Sequence, residues 1–251
     1  MIMATLYDGK MAQIFDAMYQ VFIDYDEEYQ FYIQLISETK NINVLEIGCG
    51  TGNLAQRFIT NNYDYLGIDF SHSMIEIAKQ RNPKGSFVQA DMRNFNLKLS
   101  YDSILITGRS TSYLITNQDV NETFSSVFKN LTKNGIFIFD FIDANRYIPF
   151  IYKNKNITHE ATIDGKKYLR IGNWIPTPKK ENFMLDWSAN YYEIINNKEK
   201  LISEDFSTVR VFTLNEIALF LFQNGFEIIK TIDRKTYAYD TYVIVAKKIL
   251  T

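Results

Sequence analysis

The chain has little of what metal sites, disulfides and membrane spans require. Its 251 residues include one cysteine, two histidines and four prolines. A single thiol excludes an internal disulfide, and so few soft ligands argue against a metal site. No run of about 18 apolar residues occurs, and the N-terminus lacks a cationic stretch followed by an apolar core. We therefore expect a cytoplasmic protein with no metal ion and no membrane partner.

Neither sign of charge is in excess. Lysine and arginine total 27, aspartate and glutamate total 29, and the net charge is −2. A nucleic-acid surface needs a basic stripe that displaces counterions, and the sequence has no dense run of lysine and arginine. We therefore expect no nucleic acid as a partner. The expected partner is a small molecule, and the expected state is a monomer or a homodimer.

Helix-like and strand-like segments alternate over the first 150 residues. Residues 1–40 carry apolar side chains at helical spacing. Later helices are predicted over 53–61, after the cap Ser71, and over 117–131. Strands are predicted at 43–47, 65–69, 86–90 and 103–107. A further strand, at 136–139, follows the turn Asn134-Gly135. Near-continuous apolar strands in such an alternation predict an α/β fold, with a parallel sheet covered by helices on both faces.

The pattern changes after about residue 150. Alternating segments without helices, at 167–175, 183–195 and 200–212, predict an antiparallel meander. A helix over 213–224, ended by Gly225, and strands at 226–232 and 241–247 complete the chain. We therefore expect an N-terminal helical cap (1–40), a core (41–151 and 213–251) and an antiparallel β insertion (152–212) that serves as a substrate platform or lid.

A glycine-rich run from Val44 to Asn53 carries the most functional information. Its apolar start ends in Glu46, and three glycines follow at every second position before a helix-like pattern begins. A strand that ends in such a loop brings bare backbone close to a ligand, and the next helix points free N–H groups at the same place. Dinucleotide folds use the spacing G-x-G-x-x-G, but here the third glycine comes one residue early and an acid precedes the first. The run therefore argues against a phosphate loop. A structural loop without a ligand is the alternative.

The residues LEIGCGTG resemble motif I of class I S-adenosylmethionine-dependent methyltransferases, (V/L)-L-(D/E)-x-G-C-G-T-G. The resemblance implies a Rossmann-like sheet, mostly parallel with one antiparallel strand near the C-terminus. It implies S-adenosylmethionine as the methyl donor and S-adenosylhomocysteine as the product. It also implies that the cofactor is bound at Glu46, Gly48, Cys49, Gly50 and Gly52.

Polar residues end the next three predicted strands, where open α/β sheets bind their ligands. Asp69 lies 21 residues after Gly48, where an acid can accept hydrogen bonds from both ribose hydroxyls. Asp91, with Met92, resembles the family position that reads adenine, and Thr107 ends the strand near which the methionine portion and the acceptor would meet. A helix cap and a loop acid are the alternatives for the two aspartates. Two side chains are expected on the adenine face, or otherwise in the core: Phe70 and Met74.

The N-terminal segment FDAMY (residues 15–19) resembles the Y-D-x-x-Y segment of small-molecule N-methyltransferases, including those that act on amino sugars. In these enzymes an aromatic helix covers the cofactor, and Tyr19 falls on the second tyrosine. Phe15 replaces the first tyrosine, while Tyr7 and Tyr25 could offer phenols nearby. The alternative for Tyr19 is an ordinary aromatic side chain of an amphipathic helix.

The segment Gly108–Tyr113 follows the fourth strand. Sugar N-methyltransferases of similar layout have a histidine near this place, proposed to aid proton removal, whereas this chain has Tyr113. Tyr113 is therefore the candidate catalytic residue, while His72 is read as a helix-start residue and His159 as a surface or lid residue. Methyl transfer depends mainly on alignment, and a neutral amine needs no deprotonation before attack. The sequence therefore favours an amine acceptor over a hydroxyl.

Three other functions are alternatives to this one. The glycine spacing and Glu46 disfavour a nicotinamide- or flavin-dependent oxidoreductase. The charge balance, and T-G-R-S in place of N/D-P-P-Y/F/W after the fourth strand, disfavour a nucleic-acid methyltransferase. A non-catalytic protein that binds S-adenosylmethionine or S-adenosylhomocysteine is the third. The insertion carries aromatic residues that suit a small organic acceptor but could equally pack the meander onto the core: Tyr168, Trp174, Trp187, Tyr191 and Tyr192.

Overall fold

The computed structural model describes residues 7, 9–37, 43–97, 99–154, 156–175, 183–236 and 240–249. Its helices are α1 (Gly9–Phe22), α2 (Tyr25–Ser37), α3 (Asn53–Thr60), α4 (His72–Arg81), α5 (Asn117–Asn130), α6 (Ala144–Lys153) and α7 (Leu214–Gln223), with a short 3-10 helix at Ser110–Tyr113. Its strands are β1 (Asn43–Ile47), β2 (Asp64–Asp69), β3 (Ser86–Gln89), β4 (Tyr101–Ile106), β5 (Leu131–Phe141), β6 (Asn156–Ile163), β7 (Lys166–Ile175), β8 (Met184–Ile195), β9 (Lys198–Arg210), β10 (Phe226–Arg234) and β11 (Thr241–Lys248). Of the predicted helical cap, residues 1–6, 8 and 38–40 lie outside the described residues.

A seven-stranded sheet in the order β10-β11-β5-β4-β1-β2-β3 forms the centre of the fold. Strand β11 is antiparallel to both β5 and β10, while the pairs among β1 to β5 are parallel. The predicted sheet, mostly parallel with one reversed strand near the C-terminus, is therefore confirmed. The carboxyl ends of the five parallel strands meet along one edge, where the glycine loop follows β1.

Helices cover both faces of this sheet. Helices α5 and α7 pack on the face that holds Leu45 and Ile47 of β1. Helices α2, α3 and α4 pack on the opposite face, which holds Val44. Side chains alternate along a strand, so Glu46 shares the face of Val44 and lies on the side of the N-terminal helices.

Strands β6 to β9 form a second sheet, antiparallel throughout and in sequential order. Its buried face carries Trp187, Tyr191 and Val209, which belong to one apolar cluster with Met18 of α1 and Tyr147 of α6. The predicted antiparallel insertion is therefore present. The division of the chain into cap, core and insertion stays a prediction.

The structure differs from the sequence prediction in three segments. Strand β5 begins at Leu131 rather than Ile136, because Leu131 already pairs with Tyr101 before the register shifts. Helix α6 is not predicted, since it contains Pro149, but the Asp143 carboxylate caps it by accepting the N–H of Arg146 at 3.2 Å. Strand β6 is also not predicted; it is an edge strand, and the alternation of Ile157, Ala161 and Ile163 with polar residues is interrupted by His159.

Candidate functional site

The glycine loop after β1 is built from three residues with left-handed backbone. Gly48, Gly50 and Gly52 have φ angles of +74°, +54° and +75°, a region that disfavours residues with a Cβ. A Cβ at Gly48 would lie 2.7 Å from the hydroxyl oxygen of Ser110, and one at Gly52 would lie 2.7 Å from Asn82 Nδ2. A Cβ at Gly50 would meet nothing within 4 Å. Packing therefore requires the outer two glycines, while the middle one leaves open space.

Asp69, at the end of β2, holds this loop in place. Its Oδ2 accepts the N–H of Gly50 at 3.0 Å, and its Oδ1 accepts the N–H of Ser71 at 2.8 Å. The cap of α4 is Ser71, whose hydroxyl accepts the N–H of Met74 at 3.2 Å. Burial raises the pKa of Asp69, although the backbone N–H groups oppose that rise. The side chain is thus more than a helix cap, because it links the glycine loop to the second strand.

Glu46 lies on the cavity wall with both carboxylate oxygens engaged. The Tyr65 hydroxyl donates to Oε2, and the Thr107 hydroxyl donates to Oε1 at 3.0 Å. These bonds join β1, β2 and the end of β4. Burial raises the pKa of Glu46 to about 7, and the two hydroxyl donors oppose that rise.

Asp91 follows β3 and is paired with a residue that sequence reasoning missed. Arg93 contacts its carboxylate through Nη2 at 2.5 Å and Nε at 3.0 Å, and its Nη1 reaches Asp119 at 3.0 Å. The pairing with Arg93 lowers the pKa of Asp91. The carboxylate is therefore ionised at neutral pH and oriented in place. Arg93 could have been identified from the sequence, because it lies only two residues after Asp91 and carries the opposite charge.

Asp16 fastens α1 to the glycine loop, a role that the sequence did not suggest. Its carboxylate accepts hydrogen bonds from the Thr51 hydroxyl, from Asn53 Nδ2 at 2.9 Å and from Arg81 Nη2 at 2.6 Å. Arg81 Nη1 also donates to the Thr51 carbonyl oxygen at 2.6 Å. These donors lower the pKa of Asp16 despite its burial. The sequence signal is its place as the aspartate of FDAMY, the segment that resembles Y-D-x-x-Y.

Aromatic side chains from the N-terminal segment and the 3-10 helix face one another across the site. The rings of Phe15 and Tyr19 stack with centroids 3.9 Å apart. The hydroxyl oxygens of Tyr7 and Tyr113 are 2.6 Å apart, and the Tyr7 ring contacts Phe15 edge to face at 5.2 Å. Burial, together with the neighbouring phenols, raises the pKa of Tyr7 well above its ordinary value.

The loop between β4 and the 3-10 helix is held by Asp140. Gly108 and Arg109 both have positive φ angles, +64° and +65°, which is a strained conformation for arginine. The Arg109 N–H donates to Asp140 Oδ1 at 2.8 Å, and the Thr111 hydroxyl donates to the Asp140 carbonyl oxygen at 2.6 Å. Burial raises the pKa of Asp140 to about 6. Sequence reasoning missed Asp140 because the predicted strand ended at Phe139, one residue earlier.

These groups surround a cavity of about 1020 Å³ that extends from the glycine loop to the second sheet. Binding sites for drug-sized ligands have volumes of about 300–1,000 Å³, so this cavity has room for a cofactor and a second small molecule. Gly52 is the one predicted site residue that does not line it, because its backbone packs against α4. The other predicted residues all lie on the wall: Tyr19, Glu46, Gly48, Cys49, Gly50, Asp69, Phe70, Met74, Asp91, Met92, Thr107 and Tyr113.

The second sheet supplies the opposite wall of the cavity. His159 and Arg170 lie side by side there, with Arg170 Nη1 3.3 Å from His159 Nδ1, and Arg170 Nε donates to the Tyr191 hydroxyl at 3.2 Å. Burial and the nearby arginines lower the pKa of His159 to about 4, so its ring is neutral at pH 7. The Arg170 guanidinium also lies over the Trp187 ring at 5.3 Å. This wall therefore combines a cation with aromatic faces.

Among the described residues, no group of three or more histidine, cysteine, aspartate or glutamate side chains is arranged to hold a metal ion. No helix within the same ranges is long and apolar enough to cross a membrane.

The chain matches the sequence model of a family described as "Methyltransferase domain" over residues 44–135. YqeM of Bacillus subtilis (strain 168), named as a methyltransferase, is 37% identical over 101 residues, which are 39% of this chain and 41% of that protein. An uncharacterized methyltransferase of Bacillus cereus is 30% identical over 156 residues, 58% of this chain and 73% of that protein. The chain thus spans less than half the length of the first relative and nearly three quarters of the second.

A solved structure of similar fold is CalS10 from Micromonospora echinaspora, an amino pentose methyltransferase with S-adenosylmethionine bound. Its TM-score is 0.77 at 16% identity, and the match covers 93% of this chain and 96% of that one. At this level of identity the likeness concerns the fold alone. It confirms the fold class predicted from the sequence.

Proposed function

Because this chain belongs to the methyltransferases, we propose that it transfers the methyl group of S-adenosylmethionine to a small-molecule amine. The predicted family is confirmed, and the S-adenosylmethionine bound to CalS10, a protein of the same fold, supports the predicted cofactor. One observation supports the activity most directly. One cavity is lined by the open glycine loop, Asp69 and Asp91, at the ends of three neighbouring strands, and by an aromatic surface of the second sheet.

We propose that the glycine-loop end of the cavity binds the cofactor. Open space at Gly50 lets a ligand approach the backbone, and Asp69, which already accepts two N–H groups, has further lone pairs for ribose hydroxyls. Asp91 and Met92 would face adenine, with Phe70 and Met74 on its flat side. When bound, S-adenosylmethionine supplies a methyl group on a positively charged sulfur. Gly52 is not among the proposed cofactor contacts, because its backbone packs against α4.

The acceptor is proposed to be an amine because His159 and Tyr113, the two cavity residues closest in type to a catalytic base, are weak proton acceptors. His159 has a pKa of about 4, and Tyr113 shares a hydrogen bond with Tyr7. A hydroxyl of high pKa needs a base before it attacks, whereas a neutral amine does not. The protein then acts by aligning the amine with the methyl group and by excluding water between the aromatic walls. An amino pentose methyltransferase, CalS10, has the same fold, which favours an amino group as the acceptor.

Calorimetric titration with S-adenosylhomocysteine tests the cofactor site. We expect Gly50→Arg to abolish binding. The arginine side chain would fill the open space at this position, and the positive φ angle of Gly50 disfavours any residue with a Cβ. Gly165→Arg is the matched control. Gly165 also has a positive φ angle (+75°) and open space, but it lies in the turn between β6 and β7, outside the cavity. Wild-type affinity in Gly50→Arg would contradict the assignment, and binding of NAD in place of S-adenosylhomocysteine would favour an oxidoreductase.

An acceptor panel tests the amine. The protein is incubated with S-adenosylmethionine and paired small molecules, each amine with its hydroxyl analogue, and products are detected by mass spectrometry. Methylation of the amines alone supports the proposal, and methylation of the hydroxyl analogues alone overturns it. Tight cofactor binding without methylation of any member would favour the non-catalytic alternative. The cytoplasmic location and the monomeric or homodimeric state stay predictions.

A further inference from the structure

We propose that Asp16 is a positioning residue through which one carboxylate sets both the glycine loop and the aromatic wall of α1. The inference rests on the proposed function, since it concerns the cofactor end of the same cavity. Asp16 does not itself line the cavity, so it acts through the residues that do.

The contacts of Asp16 join three separate parts of the chain. Asp16 belongs to α1, Thr51 and Asn53 flank the last glycine of the loop, and Arg81 is the final residue of α4. Arg81 closes the arrangement by donating from Nη1 to both the Thr51 carbonyl oxygen and Asp16 Oδ1. Asp16 is only 7% exposed, so these bonds are shielded from solvent. A shielded ion pair with several hydrogen bonds holds its elements more firmly than an exposed pair does.

The position of Asp16 on α1 explains why the effect reaches the cavity. Phe15 and Tyr19, one and three residues away, both line the cavity and stack on each other. On the loop side, Thr51 directly follows Gly50, whose backbone is the open part of the loop. A shift of the Asp16 carboxylate therefore moves the ring pair and the glycine loop together.

The chemistry of the contact requires an ionised acid. The groups that hydrogen-bond to Asp16 are all donors: the Thr51 hydroxyl, the amide NH₂ groups of Asn53 and Gln20, and two guanidinium nitrogens of Arg81. An ionised carboxylate only accepts, so it matches all of them. In Asp16→Asn the shape is kept, but the new NH₂ group faces donors, and the charge opposite Arg81 is lost. Arg81→Gln removes the same ion pair from the other side and leaves Asp16 in place.

The test measures S-adenosylhomocysteine affinity by calorimetry in four proteins: wild type, Asp16→Asn, Arg81→Gln and the double variant. We expect each single variant to bind about tenfold more weakly, a loss of about 1.4 kcal/mol, and the double variant to bind no more weakly than the singles. Asp26→Asn is the matched control. It breaks an ion pair of 2.8 Å between α2 and Arg57 of α3, yet Asp26 is exposed and lies outside the cavity. Its affinity should stay within twofold of wild type.

Hydrogen exchange adds a readout that a merely structural ion pair would not change. In wild type, S-adenosylhomocysteine should increase the protection of the α1 amides, and in Arg81→Gln this ligand-dependent increase should disappear, with unfolding curves confirming that the variant is folded. Wild-type affinity and protection in both single variants would overturn the inference. Failure of wild type itself to bind S-adenosylhomocysteine would instead overturn the proposed function. If Asp16→Asn does not fold, Arg81→Gln alone decides the outcome.

Discussion

Replacing Glu46 by glutamine should change how the stability of this protein depends on pH. Burial raises the pKa of Glu46 from 4.5 to about 7, so the folded state holds a proton that the unfolded state has released. Since the folded state binds more protons than the unfolded state over this window, the free energy of unfolding falls as pH rises from about 4.5 to 7. The total loss attributable to Glu46 is on the order of 3 kcal/mol. Over the range from pH 5.5 to 8.5, in which unfolding can be measured, about 2 kcal/mol of this loss occurs.

The glutamine variant has no such titration. The amide offers one acceptor oxygen where the ionised carboxylate offers two, so the Tyr65 or the Thr107 hydroxyl faces an NH₂ group, at a cost of about 1–3 kcal/mol in the variant. The free energy of unfolding of Glu46→Gln should therefore start lower at pH 5.5 and fall by about 2 kcal/mol less than wild type by pH 8.5. Buried Asp140 titrates in both proteins and cancels in the difference, whereas the charge of Asp69 is itself one cause of the raised pKa of Glu46.

Urea unfolding at several pH values measures this directly. Glu199→Gln is the matched control, because Glu199 is an exposed residue of β9 and its replacement should leave the wild-type pH dependence unchanged. Parallel pH profiles for wild type and Glu46→Gln would refute the reasoning, since they would mean that Glu46 is ionised in the folded protein at the lowest pH.

Two further predictions concern the walls of the cavity. Asp69→Ala should weaken S-adenosylhomocysteine binding about 100-fold or more, because Gly50 of the loop and Ser71 of the α4 cap each lose a charge-assisted hydrogen bond. Calorimetry compares it with Asp64→Ala, at the exposed opposite end of β2, and an effect of equal size in both variants would contradict the prediction. Tyr113→Phe should lower kcat on an acceptor identified by the panel while leaving S-adenosylhomocysteine affinity within twofold, because it removes only the hydroxyl shared with Tyr7. Unchanged kcat would exclude the Tyr113 phenol as an essential group.

Some features of the site could be read from short stretches of sequence. The glycine loop is recognisable in the sequence because left-handed backbone favours glycine, and three closely spaced glycines mark it. All three have positive φ angles in the structure. The cap at Ser71 is also local, since it depends on an oxygen and an N–H three residues apart. Asp69 and Asp91 were found by the rule that ligands bind at the ends of parallel strands, which needs only the strand boundaries. Where a boundary was misjudged, as at Asp140, the rule failed.

Other features depend on residues that are far apart in the chain. Asp16 meets Thr51 and Arg81, 35 and 65 positions away, and Tyr7 meets Tyr113 across 106 positions. A sequence with 29 acids and 27 basic residues offers many possible ion pairs, and no local pattern says which of them form. Their choice follows from how α1 and the second sheet pack on the core, because packing alone brings these groups within hydrogen-bonding distance. The chain thus specifies its cofactor loop locally, through backbone conformations that only glycine adopts readily, whereas the wall facing that loop arises from tertiary contacts.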